Sequence, residues 1–164
     1  MSSSVASSYY DDQVKQYTQW LVQAKDLREQ RYFKKRLAQA KVLRSRLEAV
    51  VQGFEERGFG LILQSSRSYA VILEDPSVSG SFRYQEFDEN GFYGHSTRKS
   101  IDEVLLEAFL DGYRDVAEDQ RILDTLSLQE SWKRGMHAVD LVRQVNCSSL
   151  TYRDACQQFA AAHP

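Results

Sequence analysis

The chain's three histidines, His95, His137 and His163, are its first candidates for proton transfer or metal binding. His95 stands beside Tyr93 and Ser96, and a Ser–His–acid set there would need a carboxylate delivered by the fold. No Gly-x-Ser-x-Gly turn is present to expose a nucleophilic serine. His137 and Asp140 lie three apart, a spacing at which two helical side chains can pair. Cys147, Cys156 and His163 offer thiol and imidazole ligands, but their spacing fits no zinc finger or ribbon and a fourth ligand is missing. Glu103, Glu107, Asp111 and Asp115 recur every four residues, which would align carboxylates on one helix face. Such a ladder holds divalent cations when a second acidic helix faces it, and the sequence has neither that second ladder nor a Glu-x-x-His pair. It reads as a solvated acidic face. Glu86 is followed by Phe87 and Asp88, not by the lysine of an Asp…Glu-x-Lys nuclease strand, and no P-loop or glycine-rich dinucleotide turn occurs. The expectation is a non-enzymatic chain with no catalytic, cofactor-binding or metal-binding residues.

What remains is binding, and here the charge distribution speaks. The net charge is −2, yet Gln13–Arg57 carries 11 Lys/Arg against 5 Asp/Glu, while Glu74–Glu130 carries 14 Asp/Glu against 5 Lys/Arg. A basic first third precedes an acidic remainder. Arg28, Arg31, Lys35 and Arg46 fall within roughly 60° of one another on a helical projection. Lys34, Lys41 and Arg44 line a neighbouring side. Cations spaced in this way contact successive phosphates and give salt-sensitive, sequence-blind affinity for nucleic acid. A second surface mixes aromatic and cationic groups: Tyr84, Tyr93, His95 and Arg98. It would serve either as a stacking platform for unpaired bases or as core and protein interface, the second being the expected use.

The element that carries the basic groups is long. Asp11–Arg57 runs 47 residues with a single glycine, Gly53, and no proline. Unbroken, it would extend for roughly 70 Å, more than a chain of this size spans. Its apolar stripe also changes direction. Val14, Tyr17, Leu21 and Ala24 share one side, joined by Trp20 and Leu27. After the polar run Arg28–Arg31 the stripe resumes as Phe33, Leu37, Ala40, Leu43, Leu47, Val50 and Phe54, turned by roughly 140°. Two arrangements follow. Either the region bends near Arg28–Arg31 and both halves pack on one core, or the first half packs on a partner. In the second case Tyr17, Trp20, Leu21, Ala24 and Leu27 form a protein interface, with a homodimer as the simplest assembly.

The rest of the chain predicts an α+β fold with a four-stranded antiparallel meander. Phe59–Gln64 and Tyr69–Glu74 are apolar on both faces and belong at the best-covered part of the sheet. Ser81–Phe87 and Phe92–Ser96 flank an Asn-Gly turn. Three helices follow. Ser100 with Glu103 opens one that runs to about Gln120, Ser127 with Glu130 opens a second, and Thr151 with Asp154 opens a short third. Leu128, Trp132, Met136, Val139, Val142 and Val145 form the core stripe of the second.

The expected organisation is a flexible Ser-rich tail over residues 1–8 and one domain over 9–164. Within that domain, 9–57 is helical, 59–97 is sheet and 100–163 is helical. Two cysteines are too few for a disulfide scaffold, no leader is recognised, and no apolar run reaches membrane-spanning length. A cytoplasmic interaction, regulatory or adaptor protein is the expectation, with nucleic-acid binding as the alternative.

Overall fold

A computed structural model describes residues 5–163, with side chains described from Ser8 onward. The predicted tail is helical from Val5; residues 1–4 lie outside the described residues. Helix α1 (Val5–Gln23) and helix α2 (Leu27–Arg57) are separated by Ala24–Asp26. The break therefore falls just before the expected bend at Arg28–Arg31. Its cause is Asp26, whose backbone is extended and whose Oδ1 accepts from the N–H groups of Arg28 (2.7 Å) and Glu29 (2.8 Å). In return Glu29 Oε2 accepts from Lys25 N–H at 2.8 Å. This reciprocal cap satisfies backbone donors that a new helix leaves open. The two helices fold back antiparallel: Asp11 pairs with Arg44 at 3.1 Å, and Trp20 meets Phe33 with ring centroids 5.7 Å apart.

Past Gly58 the chain enters the sheet: β1 (Ile62–Gln64), β2 (Tyr69–Glu74), β3 (Phe82–Asp88), β4 (Gly91–Arg98) and, after helix α3 (Ile101–Leu110), β5 (Asp115–Val116). The order is β4-β3-β2-β1-β5, every pair antiparallel. The sheet thus has five strands rather than four, and β1 and β2 lie inside it as their two-sided apolar pattern requires. The extra strand exists because α3 stops at Leu110 instead of running to Gln120. Gly112 has φ 110°, a conformation that side-chain-bearing residues rarely adopt, and it turns the chain back to the sheet. Gln120 then completes the β1 edge: its amide accepts from Ile62 N–H (2.8 Å) and donates to Ile62 O (2.9 Å) and Ala117 O (2.7 Å).

Alternation along the strands sends side chains to two cores. Leu63, Ala70, Ile72 and Tyr84 pack with Tyr10, Leu47, Val50, Val104, Leu105 and Phe109 of α1, α2 and α3. Ile62, Val71 and Phe87 pack on the opposite side with Ala117, Leu126 and Trp132. The second layer comprises α4 (Ile122–Ser127), α5 (Glu130–Asn146) and α6 (Tyr152–Ala162). The result is a three-layer arrangement of helices, sheet and helices.

Ser100 and Thr151 cap α3 and α6 as expected, accepting from Glu103 N–H (3.2 Å) and Asp154 N–H (3.1 Å). Ser127 does not: it lies inside α4 and donates to Asp124 O at 2.9 Å, so α5 starts after Gln129 without a side-chain cap. Of the expected core stripe of α5, Trp132 and Met136 pack in the second core, whereas Val139 and Val142 are exposed, Leu128 lies exposed at the end of α4, and Leu141, outside the stripe, is buried. Among the described residues no helix is long and apolar enough to cross a membrane.

Candidate functional site

The two-helix unit divides into a docked half and a projecting half. From Asp11 to Gln39 no residue is fully buried, whereas Ala40, Leu47, Val50 and Gly53 of α2 are. Apolar groups of the far half do not join either core. They contact each other instead: Tyr17 with Trp20 (5.6 Å between centroids), Trp20 with Phe33, and Phe33 with Tyr32 (5.3 Å). Arg36 completes the group, its Nε donating to the Tyr32 hydroxyl at 3.3 Å. The arm therefore closes on itself as an αα-hairpin whose outer surface remains open.

That outer surface is cationic. Arg28, Arg31, Lys34, Lys35 and Lys41 lie on exposed α2 positions, and Lys25 sits in the turn. Among the described residues none of these six side chains makes an ion pair or hydrogen bond, whereas Arg44 pairs with Asp11 and Glu48, and Arg46 with Asp115 at 3.8 Å. The two acids inside the segment, Asp26 and Glu29, are engaged in the helix cap. Of the four expected phosphate contacts, Arg28, Arg31 and Lys35 sit together on the arm. Arg46 shares their helical side, but about 16 Å further along, and its charge is committed to the sheet edge. The span from Arg28 to Lys41 is roughly 20 Å.

The five expected interface residues are divided by the fold. Tyr17, Leu21 and Ala24 are half-buried within the hairpin, while Trp20 is 39% and Leu27 70% exposed. Val22 and Tyr32, which the stripe did not include, are also exposed near the tip. The sequence signal for the tip was the spacing of Asp26 and Glu29 ahead of an apolar-periodic run.

The aromatic–basic hairpin is divided between core and surface. Tyr84 is buried and donates to Asp111, while Tyr113 donates to Glu86 at 2.8 Å and shares a 2.9 Å bond with the Tyr93 hydroxyl. Burial is the main reason that the Tyr84 hydroxyl titrates well above the ordinary phenol range, with the Asp111 bond adding to it. Burial likewise raises Tyr113, opposed by its bond to Ser68 and reinforced by Tyr93 and Glu86. These groups satisfy one another and stay protonated, so they brace the sheet against α3. Arg98 is tied to Glu107, which also accepts from Ser96 at 3.0 Å. His95 is exposed on β4.

This network also corrects the acidic ladder. Glu107 and Asp111 serve the sheet, and Asp115 lies in β5 opposite Arg46, so no continuous solvated face forms. His137 pairs with His163 (3.1 Å), not with Asp140, which binds Arg143 and Gln144. Cys147 and Cys156 are free and exposed. Among the described residues no three His, Cys, Asp or Glu side chains converge on a point that could hold a metal ion. Compared with family models, with curated proteins and with solved structures, the chain finds no match.

Proposed function

We propose that the protein is a non-enzymatic binding module whose helical arm engages the phosphate backbone of a nucleic acid. The observation that carries this reading is the run of six unpaired cations on a surface that the body neither covers nor neutralises. On α2, Arg44 and Arg46 nearer the body have acidic partners; the six cations of the arm do not. Cations spread over about 20 Å of one helix match several successive phosphates, and the exposed Tyr32 ring beside them adds a surface on which a base can stack. The acidic remainder of the chain repels the same polyanion and confines contact to the arm. A cytoplasmic address belongs to this reading and agrees with two free, exposed thiols.

A second reading is self-association or protein binding through the tip, in a regulatory or adaptor role. It is favoured by the exposure of Trp20, Val22, Leu27 and Tyr32. Closure of the hairpin weakens it, because Tyr17, Leu21 and Ala24 already spend part of their apolar surface inside the chain.

Fluorescence anisotropy at low salt, with labelled single-stranded and duplex oligonucleotides, separates the two. The wild-type chain is expected to bind, the Arg31→Glu/Lys35→Glu variant to lose at least about tenfold in affinity, and an Arg143→Glu control on α5 to be unaffected. Equal binding by all three would reject the arm as the contact surface. A concentration-dependent dimer that dissociates on Leu27→Asp, with no oligonucleotide binding, would favour the second reading.

A further inference from the structure

Away from the arm, the face of the sheet turned toward α5 carries one cation without a partner. Arg83 lies on β3, opposite Leu73 of β2 and Thr97 of β4. Two residues on, Gln85 stands opposite His95, so alternation puts Arg83, Gln85, His95 and Thr97 on the same side. Arg83 is half-buried. Its Nε has almost no exposed surface, and among the described residues its guanidinium makes no hydrogen bond or ion pair.

Asp75 is the nearby acid, and its oxygens are already spent. Oδ2 accepts from the Thr97 hydroxyl at 2.6 Å, while Oδ1 accepts from the N–H groups of Ser77 (2.7 Å) and Val78 (3.2 Å). The negative charge of Asp75 eases the burial of Arg83 at a distance without binding it. With Nε enclosed, the donors left available to an incoming anion are those of the two terminal guanidinium nitrogens.

Arg83 lines a cleft of roughly 520 Å³ together with Leu73, Gln85, Phe92, His95 and Val139. Three of these walls are apolar. Gln85 donates its amide N–H to Gly94 O at 2.7 Å, which leaves Arg83 as the strongest donor of the cleft. We infer that this cleft binds a small carboxylate carried on an apolar body, with the carboxylate on Arg83 and the body between Leu73, Phe92 and Val139. One guanidinium in a largely apolar pocket suits a singly charged, planar headgroup. A free phosphate would bring more charge than one cation and no apolar surface to cover the walls.

The inference is independent of the arm and can fail without it. Benzoate serves as the probe, followed by NMR through the Val139 methyl groups and the Arg83 Nε–H, with benzamide and inorganic phosphate as comparisons. Saturable shifts at both positions with benzoate are expected, with at least about tenfold weaker binding of benzamide and of phosphate. Arg83→Met should abolish the benzoate response while circular dichroism shows the fold retained. Should Arg83→Met fail to fold, Val139→Trp blocks the cleft from its half-exposed rim, and loss of benzoate shifts in that variant gives the same support. Absence of saturable benzoate shifts in the wild-type chain, equal binding of benzamide or phosphate, or undiminished binding in the folded variants would overturn the assignment.

Discussion

From Ala40 to Gly53, helix α2 buries Ala40, Leu47, Val50 and Gly53 under the sheet and α3; from Leu27 to Gln39 it buries no residue completely. The two stretches share the same helix-forming composition, so propensity does not distinguish them. What separates them is the treatment of apolar and charged groups. The inner half inserts its stripe into a core shared with Phe109 and Tyr113, and its arginines meet Asp11, Glu48 and Asp115. The outer half has only α1 to pack on, and its cations face solvent. A core helix and a presenting helix are here one continuous element, and the unpaired cations of the arm end at Lys41, one residue past Ala40 where the core begins.

The largest test of that division is stability. Phe109→Ala, in the core under α1 and α2, is expected to cost about 3–5 kcal/mol in urea melts. Leu27→Ala at the tip should stay within roughly 0.5 kcal/mol. Equal losses would erase the distinction between arm and body.

Alkaline stability comes next, and it reports on the body alone. Tyr84 and Tyr113 are held neutral in the fold by burial. Their hydroxyls titrate above the unfolded value of about 10, so their contribution is complete below that pH. It is lost as pH rises, because the unfolded chain gives up these protons first. The urea midpoint should therefore fall above about pH 10, and the Tyr84→Phe/Tyr113→Phe variant should fall less steeply. A double variant with an unchanged alkaline slope would show that the buried tyrosines do not govern it.

Two smaller effects sharpen the comparison. Gln120→Ala strips the partner from Ile62 N–H, while Ile62 O keeps its bond from Ala117 N–H, and leaving a buried backbone donor unmet costs about 1–3 kcal/mol. The loss should register as faster hydrogen exchange along β1 and β5. Asp26→Ala removes the cap between the two helices, worth about 1 kcal/mol. Here exchange should quicken at Arg28 and Glu29 while β1 is unchanged. Global rather than local loosening in the Asp26 variant would mean that the arm is part of the cooperative core.

The same comparison explains what the sequence could disclose. Leu43, Leu47, Val50 and Phe54 announced the docked half through helical spacing, and β1 and β2 announced their central place by being apolar on both faces. The turn at Ala24–Asp26 was harder, because Ala24 and Lys25 are good helix formers and only the Asp26–Glu29 spacing marks the new start. Strand β5 escaped because two residues carry no periodicity and its ladder is finished by a glutamine side chain. Leu128, Val139 and Val142 misled for the opposite reason: an apolar stripe shows that a surface is fit for burial, not that another element lies over it. At the site, the basic run was plain, but not which cations are neutralised. Asp11 and Asp115 reach Arg44 and Arg46 only through the fold.

The central claim, an arm that binds phosphates with cations left unpaired, is tested most directly by the salt dependence of oligonucleotide binding. For the wild-type chain, log affinity for duplex DNA against log salt should fall with a slope of about −3 or steeper. Arg31→Glu/Lys35→Glu should flatten that slope by about 2, since each lost phosphate contact removes about one from it. No binding at low salt, or one slope shared by both proteins, would contradict the account.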